Sequence, residues 1–218
     1  HIGDHWPISV IYQVPKGLKA AADPQFLAKK QLIKQDYFLH VGTFDRRKNL
    51  PLLVKAYASY LDQSPQPKKL VLAGGAGQSK QMNDYPIVEK LVAELGLQEH
   101  ILLPGYLSDG EVKALYEGAF AYVFPSQNEG FGIPILESMG FGVPVIHSDQ
   151  PALLEVAGGA GLHFQTGNQV NLTEKMILLD QEKELRAQLI SKGSERAKDF
   201  SAEKFIEDFH RIILNPNY

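Results

Sequence analysis

Residues 121–147 read AYVFPSQNEGFGIPILESMGFGVPVIH. The stretch opens on an apolar run, Ala121–Phe124, crosses a polar loop, and reaches Gly130 and Gly132 on either side of Phe131. Ile133 and Pro134 then open a short helix that ends near Gly140, and a second apolar run, Val143–His147, follows. Proline is tolerated in a first helical turn, where its missing N–H has no intrahelical partner to lose. A helix that returns the chain between two apolar runs makes them parallel neighbours. Runs that are apolar on both faces belong to strands with helices above and below. The segment therefore predicts one βαβ unit of a parallel sheet.

The same alternation extends in both directions. Further apolar runs lie at Ile8–Val14, Tyr37–Val41, Leu70–Ala73, Ile101–Leu103 and Leu162–Phe164. Between them Leu50, Leu53, Val54, Tyr57, Ala58 and Leu61 recur at helical spacing, as do Val88, Leu91, Val92 and Leu95, each set forming one apolar stripe. Asn49 is placed to cap the first of these helices, with Pro51 in its opening turn. Ser108 and Glu111 form a capping box ahead of Val112–Glu117, with Gly118 as a stop. The expected fold is α/β: a Rossmann-like, doubly wound, mostly parallel sheet. Beyond about residue 168 the pattern changes to helices without strands, at Leu172–Asp180, Lys183–Phe200 and Ala202–Leu214, and Pro216 makes a natural end. We read residues 1–218 as one domain, an α/β core over about 8–168 and a helical tail over 169–218.

Composition narrows the function classes. With 44% hydrophobic and 22% charged residues, the chain has the balance of an ordinary globular protein able to bury a core. A net charge of −3 provides no global field for nucleic acid or an anionic membrane, so an anionic ligand needs a local basic cluster. There is no cysteine, hence no disulfide or thiolate metal site, which fits a reducing, cytoplasmic setting. The first residues, HIGDHWPISV, lack the basic and apolar regions of a signal peptide, and no apolar stretch is long enough to span a bilayer.

In a doubly wound sheet, ligands bind where strand ends lead into helix N-termini. Glycines at 130 and 132 let backbone amides approach a ligand, and the helix start adds unpaired N–H groups and positive dipole potential. This is the outline of an anion site. Glu129 and Glu137 stand before and after the glycines. A carboxylate there repels phosphate and is useful only if it accepts hydrogen bonds from hydroxyls, as of a ribose or hexose. The alternative for both is a helix-start carboxylate that complements the dipole. Arg46-Arg47-Lys48 is either a local basic cluster or a solvated charged turn. Gly74-Gly75-Ala76-Gly77 is either a ligand contact or a plain turn. Ser126 either touches a ligand or bonds the loop backbone. His40, His147 and His163 fall in strands and read as satisfied core or edge residues.

The string NEGFGIPILESMGFGVPVIHSD with PALLEVAGGAGLHF resembles the donor-site region of family 4 (group 1) glycosyltransferases, retaining enzymes of GT-B architecture marked by two glutamates separated by seven residues. HVGTFDRRKNLPLLVKAY resembles the family's phosphate loop, LVLAGGAG its next strand and turn, and LLPGYLSDGEVKALYEGA its base-binding turn and helix. The motifs run in register from about Ile8 to Thr166. The resemblance implies that Glu137 accepts the ribose hydroxyls. It places Glu129 near the donor sugar, with the amides of Gly130, Phe131 and Gly132 at the sugar and diphosphate and Ser126 close by. It implies that Lys48 with Arg47 neutralises the diphosphate, while the backbone of Gly105, Tyr106 and Leu107 borders the base, and Gly75 is a further donor-binding candidate. Many members carry Arg where this chain has Thr43, and Arg46 and Arg47 are candidates to supply that charge.

The implied protein is a glycosyltransferase of glycan biosynthesis, of the lipopolysaccharide or exopolysaccharide kind, that moves a hexose from a UDP- or GDP-sugar to a glycan or lipid acceptor. It needs no metal and no cofactor, since the basic residues and the helix start can stabilise the leaving diphosphate. The chain would be its donor-binding half, inactive alone. Its partners would be the nucleotide sugar, a missing N-terminal acceptor-binding domain and a glycan or lipid-linked acceptor. Peripheral membrane association would come through the missing half, and no nucleic acid is involved. The stretch IHSDQPALLEVAG looks more like mannosyl- or rhamnosyl-transferring members. The rival readings are a non-catalytic nucleotide-sugar-binding module and, less favoured by GFGIPILE, a sugar-nucleotide epimerase of the same architecture.

Overall fold

The computed structural model describes residues 10–15, 17–76 and 82–214. Six strands form one parallel sheet: β1 (Tyr37–Val41), β2 (Lys69–Ala73), β3 (Ile101–Gly105), β4 (Ala121–Phe124), β5 (Val145–Ser148) and β6 (Leu162–Phe164). Their order is β3-β2-β1-β4-β5-β6. The helices are α1 (Phe26–Lys29), α2 (Leu50–Gln63), α3 (Tyr85–Glu94), α4 (Asp109–Gly118), α5 (Ile133–Gly140), α6 (Pro151–Ala157), α7 (Gln169–Gln181), α8 (Lys183–Lys198) and α9 (Ala202–Leu214).

Alternation along the strands creates two cores. Phe38, Leu70, Leu72, Val123 and Ile146 face one, which α2, α3 and α7 close with Tyr57, Val88 and Met176. Tyr37, Leu39, Val71, Tyr122 and Val145 face the other, under Phe26 of α1, Leu115 of α4, Leu136 of α5 and Leu153 of α6. The four central strands are the most buried, as their two-sided apolar sequences require. β3 and β6 lie at the edges and are only half buried. The strand order reverses between β1 and β4. The loops leaving these two neighbours therefore run in opposite directions and leave a crevice at their carboxyl ends.

Several local expectations change. Of the expected strand at Ile8–Val14, residues 10–14 carry no strand, and Ile8 and Ser9 lie outside the described residues. Tyr12 instead lies against Phe131 and Phe200 and donates to Glu155 Oε1 at 2.8 Å, so this segment crosses the glycine loop rather than pairing in the sheet. Asn49 does precede α2, but by a left-handed turn at φ 53° and not by a side-chain cap. Gly118 is the last residue of α4 and not a stop beyond it; the helix ends where Ala119 turns extended, and residue 118 is glycine for want of space, because a Cβ there would come within 2.6 Å of the Tyr37 hydroxyl. The capping box is formed, with the Glu111 carboxylate accepting from Ser108 N–H at 2.8 Å. Pro216 lies outside the described residues. No helix among the described residues is long and apolar enough to cross a membrane.

His40 and His147 are fully enclosed, and burial pushes both rings down to about 4. Unfolded, each has its ordinary value near about 6.5. Between these values only the unfolded chain takes up the proton, so stability is lost as pH falls through that window. Urea titrations are expected to show a loss of about 1 kcal/mol per histidine between about pH 7 and pH 5.5. Stability that stays flat there would mean that the rings are not held neutral.

Candidate functional site

Three strand-end loops meet on one side of the crevice. Gly42 N–H donates to Ala73 O at 3.0 Å, Gly74 N–H to Gly105 O at 2.9 Å, and Phe44 N–H to Gly75 O at 3.1 Å. These bonds carry the ladder past the strand ends and hold the loops edge to edge. Gly74 has φ +138°, and a Cβ on it would lie 1.8 Å from Gly42 O, so only glycine permits this approach. Val41, Gly42, Ala73, Gly75, Tyr106 and Leu107 line an open, mostly apolar slot of about 220 Å³ above these ends. Tyr106 is exposed and Gly105 is left-handed at φ 75°, which turns the chain away from β3. Gly77 lies outside the described residues.

From Thr43 the chain turns toward β4. Thr43 Oγ1 donates to Asp45 Oδ2 at 2.6 Å, so the residue that replaces the family's arginine shapes this turn. Arg46–Lys48 form one 3₁₀ turn, closed by Lys48 N–H to Asp45 O at 2.8 Å, and Asn49 reverses the path into α2. This tucks Lys48 inward, its side chain only 9% exposed, and places Nζ 4.6 Å from the centroid of the Phe124 ring. Arg47 stays half exposed, and its carbonyl accepts from Gln127 N–H at 2.7 Å, tying the β1 loop to the β4 loop. Arg46 points elsewhere, with Nε 3.5 Å from Asp84 Oδ1, and so does not supply the charge missing at Thr43.

Glu129 comes from the β4 loop and is held by both cations. Lys48 Nζ donates to its Oε1 at 2.6 Å and Arg47 Nη1 to its Oε2 at 2.7 Å. Burial works to raise the carboxyl's pKa, but the hydrogen bond and charge of Lys48, with Arg47 adding to them, keep it below the ordinary carboxylate range. Ser126 helps from nearby, although its enclosed hydroxyl makes no hydrogen bond of normal geometry among the described residues. Its carbonyl accepts from Ser148 Oγ, which fixes the loop to β5. Burial also pulls the Lys48 ammonium below its usual value, with Glu129 opposing the shift.

The glycine loop follows. A Cβ on Gly130 would meet nothing within 4 Å, so this part of the loop faces open space. Phe131 turns its ring the other way, onto Tyr12 and Phe200, and anchors the loop. Gly132 starts α5 at φ +106°, and a Cβ there would press to 2.8 Å from Leu153. Glu137 lies in the second turn of α5 and accepts a long hydrogen bond of 3.4 Å from the Tyr116 hydroxyl. Burial raises its pKa, and the Tyr116 contact offsets only part of that. Both glutamates act electrostatically on the Tyr122 hydroxyl, which places them at the same end of the sheet.

The structure thus gathers Lys48, Arg47, Glu129, Ser126, Gly130, Gly132 and Glu137 around the crevice and puts Gly75, Tyr106 and Leu107 on the adjoining slot. The ring of Phe131 and the whole of Arg46 lie apart. Sequence reasoning missed Phe124 beneath Lys48, Tyr116 against Glu137, and Tyr12 behind the glycine loop. Each reads in the sequence only as an apolar or aromatic core position. His40 also departs from expectation. Its Nδ1 meets Val123 O at 2.9 Å, but Nε2 is enclosed without a partner among the described residues.

Comparisons with known proteins agree with this architecture. The family model "Glycosyl transferases group 1" matches residues 23–196. O-antigen chain mannosyltransferase B of Escherichia coli is 34% identical over 177 residues, which cover 81% of this chain and 45% of that protein. The chain therefore spans about half the length of the curated relatives it matches. Among solved structures, HepE of Anabaena in complex with UDP and glucose superposes with a TM-score of 0.79 at 19% identity, over 94% of this chain and 56% of that one. The separately crystallised C-terminal domain of LpcC, a group 1 glycosyl transferase from Francisella tularensis, gives 0.69 at 21% identity, over 82% and 93%.

Proposed function

The chain belongs to the group 1 glycosyl transferase family, and from that premise we propose that it is the donor-binding part of a retaining, metal-independent enzyme that moves a hexose from a UDP- or GDP-sugar to a glycan or lipid-linked acceptor. The observation that carries this reading is the meeting of Lys48 and Arg47 with Glu129 at the reversal point of the sheet, beside an apolar slot. The slot suits a base, and Glu137 suits the ribose hydroxyls. Lys48, Arg47 and the start of α5 suit the diphosphate, whose charge grows as the bond to the anomeric carbon breaks. Glu129 and the open backbone at Gly130 then face the sugar. The mannosyltransferase names among the relatives favour mannose or a close analogue, and the UDP complex of HepE favours a nucleoside diphosphate as ligand. A cytoplasmic enzyme would meet such donors, with acceptor and any membrane contact held by a further domain.

The ribose assignment has a direct test. Glu137→Gln keeps the shape but removes the charged acceptor, and a hydrogen bond to a charged group contributes about 1.5–3 kcal/mol. Nucleotide affinity is therefore expected to fall about tenfold or more. Stability is not expected to fall, because burial already disfavours this carboxylate. Calorimetry and thermal melts on the variant separate the two effects. Unchanged nucleotide binding, or loss of binding only through unfolding, contradicts the assignment.

A further inference from the structure

Both carboxylate oxygens of Glu129 are taken by the two cations assigned to the diphosphate, at 2.6 Å and 2.7 Å. We infer that Glu129 is an internal stand-in for the diphosphate, an anion of the chain itself that pairs with Lys48 and Arg47 and leaves them for the sugar position when the nucleotide arrives. The inference rests on the donor-binding reading and adds an order of events to it.

Three features support it. The Lys48 and Glu129 side chains are 9% and 8% exposed, so neither charge can fall back on water if the other is removed. An unpaired ammonium at that depth would be costly even with the Phe124 ring face beneath it, so Lys48 needs an anion beside it, whether Glu129 or a diphosphate. Glu129 sits immediately before Gly130, where an added Cβ would meet nothing within 4 Å, so the loop is not hemmed in on that side. Arg47 is half exposed and bound to Glu129 from the solvent side, so an incoming diphosphate meets the guanidinium first and can displace the carboxylate from outside inward. Displacement delivers a carboxylate to the neighbouring sugar only when phosphate is present. Binding and orientation of the donor thereby become one event.

The inference predicts a result opposite to that of a simple binding residue. Glu129→Gln retains the side chain's shape and one acceptor but removes the competing charge, so UDP, GDP and inorganic pyrophosphate should bind about tenfold more tightly than to the wild-type chain. Uridine and guanosine, which carry no phosphate, should bind both proteins alike. The diphosphate-induced rise in melting temperature should also be larger in the variant, because there no carboxylate at position 129 competes for the two cations. If the variant does not fold, the wild-type chain crystallised with UDP or GDP decides the matter: Lys48 Nζ should lie beyond about 4 Å from Glu129, a separation at which the direct pair is broken. Equal or weaker diphosphate binding by Glu129→Gln, or an intact Lys48–Glu129 pair beside bound diphosphate, overturns the stand-in role alone. Failure of every diphosphate to bind either protein overturns the donor-binding reading on which it rests.

Discussion

Purified alone, these 218 residues are expected to bind a nucleoside diphosphate and to transfer no sugar. Binding uses groups that the chain brings together itself: the slot at Gly75 and Leu107, the carboxylate of Glu137, and the cations of Lys48 and Arg47. Transfer needs an acceptor held against the anomeric carbon and a cleft that excludes water. Correct positioning of that kind accounts for about 7–11 kcal/mol of barrier. The chain matches only 45% of the length of the E. coli mannosyltransferase, and on the half-enzyme proposal the acceptor wall would lie in another half. Incubation with UDP- and GDP-hexoses and candidate acceptors, following both nucleotide release and glycoside product, measures this. Sustained transfer by the isolated chain would refute the half-enzyme proposal.

Lys48→Ala is expected to weaken diphosphate binding by about two orders of magnitude while leaving the free nucleoside almost untouched. A charge-assisted hydrogen bond at a largely enclosed site contributes about 1.5–3 kcal/mol, and alanine cannot make it. The variant also leaves the Glu129 carboxylate with only the half-exposed Arg47 to balance it. A diphosphate entering that crevice then meets an anion where it formerly met a cation. The attraction that Lys48 provides is Coulombic, so added salt should weaken wild-type diphosphate binding more than that of the variant. Isothermal titration of uridine, guanosine and their diphosphates against both proteins, at low and high salt, tests the assignment. Equal losses for nucleoside and diphosphate would mean that Lys48 supports the loop rather than the phosphate.

The fold was legible because its signals are local and redundant. Tyr37–Val41, Ala121–Phe124 and Leu162–Phe164 fall where their apolar runs end, and the stripe from Leu50 to Leu61 becomes α2. The run at Ile8–Val14 misled because an apolar alternation also suits a segment laid across a loop, and Tyr12 makes its contacts with residues 131, 155 and 200. Backbone geometry was least legible. The sequence suggests a side-chain cap at Asn49, which serves instead through a left-handed turn, and a helix stop at Gly118, which instead closes the last turn of α4 where a Cβ would press on Tyr37. Both depend on what approaches in space.

The candidate site was legible as a set of residues but not as an arrangement. Spacing could bring Glu129 and Lys48 to neighbouring loops, but not reveal that they bind each other directly. Nor could it show that Arg46 turns to Asp84 while Arg47 turns to Glu129, since neighbours in one charged triplet carry the same sequence signal. The partners that set the local energetics, Phe124 beneath the ammonium and Tyr116 beside Glu137, belong to the core in sequence terms and to the site only in space.

Whether this chain holds a donor nucleotide is the question on which every site assignment depends. Calorimetric titration of the wild-type protein with UDP, GDP and their hexose conjugates is the measurement. At least one is expected to bind in a single-site isotherm with a Kd on the order of 100 micromolar, about −5.5 kcal/mol, modest because on the half-enzyme proposal one wall of the cleft belongs to another domain. No detectable binding of any nucleotide or nucleotide sugar by the folded protein would contradict the donor-binding function.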